Sequence, residues 1–158
     1  MFVLFRTIVY ASLFIGLVLM YVPGRLLSWS GVVRPDSTEW EQIGGMIIGA
    51  AGAALALWSV FSFALRGKGT PAPFDPPRLL VVRGPYAFVR NPMYIGAVIA
   101  LAGAALFYKS LALLAYAVFL LIITHLFVVL YEEPTLRRTF GQEYEAYRRR
   151  VGRWRPKL

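Results

Sequence analysis

The sequence predicts an all-α integral membrane protein: about four transmembrane helices, the last two paired as a C-terminal hairpin, then an amphipathic cytoplasmic tail helix. Three observations predict it. The 158 residues are 58% hydrophobic with a mean hydropathy of +0.60, too apolar for a soluble domain of this size. The apolar residues are bunched into Phe2–Val22, Ile43–Leu65, Met93–Phe107 and Leu111–Tyr131, with polar, proline-bearing stretches between most of them. The basic residues are concentrated on alternate sides of these runs. The length suits a single membrane domain, 1–158, in which 1–65 supply two N-terminal spans and 66–158 a loop, the hairpin and the tail.

A bilayer-spanning helix needs ~20 mostly apolar residues. The first run has only Arg6 as an n-region and no small-residue cleavage pattern, so it reads as a retained span and not as a signal peptide. The second carries Gly45, Gly49 and Ala53 at four-residue spacing, a stripe where another helix backbone can come close. The third reaches spanning length only if its helix begins near Tyr86; Gly96, Ala100 and Ala104 share one face, with Gly103 beside them. Tyr108-Lys109-Ser110 is too short for anything but a helical hairpin between the third and fourth runs. Pro134 cannot continue a helix without losing a hydrogen bond, so a break is expected at Glu133 and a fresh helix from Pro134 to Val151. On that helix Phe140, Tyr144, Tyr147 and Val151 form an apolar stripe that either lies along headgroups or folds back over the hairpin.

The net charge of +9 follows a membrane pattern and not that of a nucleic-acid-binding protein. The Pro23–Gln42 stretch sets Arg25 and Arg34 against Asp36, Glu39 and Glu41, whereas five basic residues lie between Arg66 and Pro92 and eight beyond Tyr131. The positive-inside rule puts the middle loop, the tail and both termini in the cytoplasm, as in a multi-pass protein of a bacterial-type plasma membrane. The same charges would hold anionic lipid headgroups. With no cysteine, disulfides, thiolate nucleophiles and cysteine-based metal sites are excluded, and no metal site is expected. Nothing in the pattern fixes an oligomeric state.

Three features stand out from the scaffold. The loop from Gly67 to Pro92 carries prolines at 71, 73, 76, 77, 85 and 92, stiff enough for a preformed wall or lid, or simply a well-ordered turn region. His125, the single histidine, sits in the fourth run, and Glu132 follows seven residues later on the same helical face. Alone it reads as a neutral histidine hydrogen-bonded to another helix. Finally, Glu132 and Glu133 are two adjacent acids where a helix cap needs one. Beside a basic loop and tail they outline a pocket of both charge signs.

Arg83-Gly84-Pro85-Tyr86 through Arg90-Asn91-Pro92-Met93-Tyr94-Ile95-Gly96, with Glu132-Glu133, Leu136, Phe140-Gly141, Tyr144, Tyr147 and Val151-Gly152-Arg153-Trp154-Arg155-Pro156, resembles the two-block signature of the isoprenylcysteine carboxyl methyltransferase and phospholipid methyltransferase superfamily. The resemblance covers roughly residues 66–156. It implies a site for S-adenosylmethionine at the cytoplasmic face and a lipid or lipidated small-molecule acceptor. By resemblance Arg90, Asn91, Tyr94, Glu132 and Glu133 map onto the cofactor site, with Tyr86 and Arg153 beside them. The family's usual histidine is Asn91 here, which can orient a ligand but cannot take up a proton. A carboxylate acceptor, as on a prenylated cysteine, needs no base; a phospholipid amine does, and Glu132 or His125 is then the candidate. The sequence leaves that choice open. An NADPH-dependent membrane reductase of related fold and a non-enzymatic scaffold or transporter subunit are the competing readings.

Overall fold

The structure, a computed structural model, describes residues 9, 12, 13, 15–32, 39–67 and 79–157. The prolines at 71, 73, 76 and 77, and with them the wall-or-lid reading of their loop, lie outside the described residues, as do Arg6 and the start of the first run.

The first helix, α1, is Ile15–Trp29: a π-helical stretch, Ile15–Tyr21, passes directly into an α-helix, Val22–Trp29, that takes Pro23 in its first turn. The residues just after Val22 are therefore helical, where a loop was expected. Proline is tolerated there because the wider π turn before it leaves room for a ring that would clash with the preceding carbonyl in a regular α-turn. Helix α2, Trp40–Arg66, opens on a capping box in which the Glu39 backbone N–H donates to Gln42 Oε1 at 3.0 Å. Its 27 residues and the helical stretch from Leu111 onward are each long and apolar enough to cross a bilayer; α1 and the next helix are apolar but shorter.

That next helix, α3, is Pro92–Phe107, 16 residues or about 24 Å at the usual rise per residue. It does not begin near Tyr86. Gly84–Ala87 is a separate 3-10 turn, and Pro92 starts the helix at a position where its missing N–H costs nothing. Gly84 enters that turn at φ +68°, and a Cβ there would stand 2.9 Å from Ser62 Oγ of α2. The short connection folds as read: Lys109 takes φ 49°, and Ser110 Oγ accepts the Leu113 N–H at 3.3 Å to cap α4, Leu111–Phe127.

The chain does not break at Glu133. α4 widens into a π turn, Val128–Glu132, and runs into α5, Glu133–Arg150, with Glu132 and Glu133 both right-handed helical. A π turn bonds i to i+5, which makes room for Pro134 where a regular α-turn would clash with its ring. The interruption comes later, at Gly141 (φ 50°, ψ −121°).

Helices α2 and α3 pack backbone to backbone through small residues. A Cβ on Gly96 would lie 2.7 Å from Gly52 O, and one on Gly45 2.7 Å from Gly103 O. The contact stripe on α2 is thus Gly45, Gly49, Gly52 and Ala56; Ala53, expected in it, is exposed. Ala97 and Leu101 of α3 pack on Ala117 and Leu120 of α4, with Val18 and Leu19 of α1 against them. Outward faces stay apolar: Ile47, Phe61 and Leu65 on α2, Val118, Phe119 and Ile122 on α4. Such exposure suits hydrocarbon and not water.

The stripe on α5 folds back. Tyr144, Tyr147 and Val151 are buried together with Leu80, Leu136 and Phe140. Beyond α5, Gly152 lies beside Val89, its carbonyl accepting the Arg90 N–H at 2.8 Å. At the opposite end, Lys109 pairs with Glu39 (2.8 Å) and Glu41 (3.4 Å), tying the hairpin tip to the start of α2.

Candidate active site

The 3-10 turn, the start of α3, the π turn and the tail converge at one end of the bundle. Arg90 precedes Pro92, so the start of α3 fixes where its side chain emerges. Its guanidinium nitrogen stands 3.0 Å from Glu133 Oε1 and donates to Tyr144 Oη at 2.9 Å. Arg153 reaches the same glutamate from the far side, Nε to Oε1 at 2.6 Å and a terminal nitrogen to Oε2 at 2.9 Å. This is the bidentate fork that arginine makes with carboxylates. Glu133, buried, is therefore held between two cations. Burial alone would raise its pKa, but the Arg153 hydrogen bonds and the charges of Arg90, Arg153 and Arg137 outweigh it and hold the carboxyl below its usual range. The same pairing raises the pKa of Arg153.

Glu132 is placed differently. It is largely buried but takes a single described hydrogen bond, from Tyr94 Oη at 3.3 Å. The two acids that look equivalent in sequence thus divide: one is consumed by arginines, and the other keeps acceptor capacity. On Arg90 the reverse holds for a donor. Its Nε is buried and has no hydrogen-bond acceptor among the described residues. Neighbouring tyrosines complete the walls. Tyr147 Oη donates to the Tyr86 carbonyl at 2.6 Å, and burial pushes the phenol of each of these two tyrosines up, keeping both neutral. The Asn91 side chain, buried, donates to the Arg153 carbonyl at 3.3 Å and ties the α3 start to the tail.

The structure therefore gathers Arg90, Asn91, Tyr94, Glu132, Glu133, Tyr86 and Arg153 at one end. His125 joins them only at second hand. Its Nδ1 accepts the indole N–H of Trp154 at 3.0 Å, next in sequence to Arg153. Sequence reasoning assigned no site role to Tyr144, Tyr147 or Trp154. The available signals were their place in the second signature block and, for the two tyrosines, their type: a core stripe built of tyrosines and not leucines carries hydroxyls that need partners when buried.

Between α3 and α4 runs an apolar groove of about 500 Å³, lined by Ile95, Val98, Ile99, Leu121, Ile122 and Leu126, with His125 and Trp154 also in its wall. Ile95 lies in the first turn of α3, so the groove reaches the end of the bundle that carries the site.

A family model for phospholipid methyltransferases matches residues 40–143, from the start of α2 to just beyond Gly141. The chain belongs to the phospholipid methyltransferase family. Family membership carries methyl transfer to a lipid-like substrate and residence in a membrane. The match takes in Tyr86, Arg90, Asn91, Tyr94, Glu132 and Glu133, while Tyr144, Tyr147, Arg153 and Trp154 lie beyond it. No curated protein and no solved structure matches the chain.

Proposed function

We propose that this phospholipid methyltransferase family member transfers a methyl group from S-adenosylmethionine to an amphiphilic acceptor at the cytoplasmic face of a four-span membrane domain. The observation that carries the reading is the pairing of an unsatisfied buried donor, Arg90 Nε, with an under-used carboxylate, Glu132, in one cluster. A zwitterionic, cationic cofactor needs both signs. Arg90 fits its carboxylate, and Glu132 and Tyr94 fit its positive end. When bound, S-adenosylmethionine supplies a methyl group already activated by a sulfonium.

What remains for the chain is alignment and exclusion of water, which together can supply ~7–11 kcal/mol of barrier reduction. Glu133 acts through others: by holding Arg90 and Arg153 it fixes the donor and docks the tail. Asn91, which cannot shuttle a proton, serves as the tie to Arg153. For an amine acceptor, Glu132 is the base within reach of the cluster, oriented by Tyr94. A carboxylate acceptor would need none. The groove between α3 and α4 suits the acceptor's hydrocarbon tail, because it is apolar and reaches Ile95, in the first turn of α3 at the site end of the bundle.

Labelled S-adenosylmethionine supplied to membranes containing the protein should yield label extractable into organic solvent. Label confined to small aqueous products would overturn the amphiphilic acceptor. The orientation has its own test. The Lys109–Glu39 pair marks the end opposite the site. In intact cells Lys109→Cys should react with a membrane-impermeant thiol reagent and Lys157→Cys should not; the reverse pattern would invert the topology.

A further inference from the structure

Three consecutive tail residues each fasten to a different part of the site. Gly152 O accepts the Arg90 N–H at 2.8 Å. Arg153 grips Glu133 and offers its carbonyl to Asn91. Trp154 reaches the body of α4, its indole N–H donating to His125 Nδ1 at 3.0 Å with ring centroids 6.0 Å apart. An indole N–H can only donate, so the nitrogen it meets must be the unprotonated one. The ring's other nitrogen, Nε2, then carries the hydrogen of a neutral imidazole, and no basic nitrogen is left free. While this bond holds, His125 cannot serve as the base that its place in the fourth span invited.

We propose that Trp154 and His125 form a latch that keeps the 152–154 segment closed over the cofactor site, with His125 a positioning residue and latch opening the step that admits and releases cofactor. This rests on the proposed cofactor site. The other fastenings lie within the cluster itself, whereas the Trp154–His125 bond joins the segment to the body of α4. Tryptophan suits the post, since its amphipathic ring is stable at a membrane interface.

The test uses the full-length protein in nanodiscs and reads the dissociation rate of S-adenosylhomocysteine beside single-turnover methyl transfer. Trp154→Phe keeps the ring and loses the N–H; His125→Leu loses the acceptor from the other side. Each should speed dissociation roughly three- to tenfold, the range one net hydrogen bond spans. His125→Asn places a carbonyl oxygen close to the Nδ1 position and should restore slow dissociation, which a base could not do. Unchanged dissociation in both Trp154→Phe and His125→Leu overturns the latch. So does a His125→Asn variant that releases product normally but no longer transfers methyl. If the wild-type protein binds no S-adenosylhomocysteine at all, the cofactor reading fails first, and the latch's part in exchange falls with it.

Discussion

Glu132→Gln and Glu133→Gln should fail in different ways. In Glu133→Gln two arginines lose their shared carboxylate, and the Arg90 side chain is only 9% exposed. Removing one partner of a buried ion pair costs about 3–5 kcal/mol, because the other charge stays buried without compensation. The variant should therefore unfold at a clearly lower temperature and lose S-adenosylmethionine binding with it. The carboxyl's depressed pKa gives the sign of the pH effect. A lowered folded pKa contributes stability above the ordinary carboxylate range and loses it as pH falls through the folded value. Wild type should lose this increment in acid, and Glu133→Gln should lack that dependence. Glu132→Gln gives up one hydrogen bond from Tyr94, so its unfolding should stay within about 1 kcal/mol of wild type. Its cofactor affinity should nevertheless fall roughly 30-fold or more, the scale of truncating one partner of a desolvated charge pair. Calorimetric titration beside thermal unfolding separates the two. Equal stability losses in both variants would contradict the division of labour between these acids.

That division could not be read from Glu132-Glu133 as letters. Sequence placed both acids at the end of the fourth span and set them near Arg90 and Arg153 by resemblance. It could not say which would face the arginines, because that depends on about 100° of helical rotation per residue and on a π turn that shifts the phase. Local patterns did better. Tyr108-Lys109-Ser110 gave the hairpin because three residues leave no other path, and the 140–144–147–151 stripe gave the buried face of α5 because its spacing is helical. Pro134 misled for the converse reason: the rule against proline assumes an α-turn, and a wider turn absorbs it. The apolar run Met93–Phe107 gave α3 to within one residue, whereas the helical residues after Val22 were illegible because hydropathy measures apolar length and not where a helix ends. Trp154 and His125 lie 29 residues apart, and nothing local joins them.

Gly103→Leu should prevent α2 and α3 from docking, and even Gly103→Ala should be costly. In a bilayer no hydrophobic force draws helices together, so close packing of small residues must supply the association. Gly103 sits where a Cβ would overlap the backbone of Gly49 and stand 2.7 Å from Gly45 O. These are main-chain atoms, which cannot rotate aside, so the helices themselves must separate. Overpacking of this kind costs typically 1–3 kcal/mol for a small addition. Gly49 is the control across the same interface. A Cβ there meets nothing nearer than Ala100 O at 3.8 Å, ordinary van der Waals contact. Gly49→Ala should therefore unfold within about 1 kcal/mol of wild type, aided by alanine's better helix propensity. The spacing in sequence hides this contrast. Four-residue steps of 45, 49 and 53 run ahead of a 3.6-residue turn, so the true contact line bends to 45, 49, 52 and 56. Separation also reaches the proposed site, because α3 presents Tyr94 to Glu132, and Gly84 packs against Ser62 of α2. Denaturant titration of the purified variants in one detergent, with cofactor binding on each, measures both effects. Gly103→Ala as stable as Gly49→Ala would mean that α2 and α3 do not meet through these glycines.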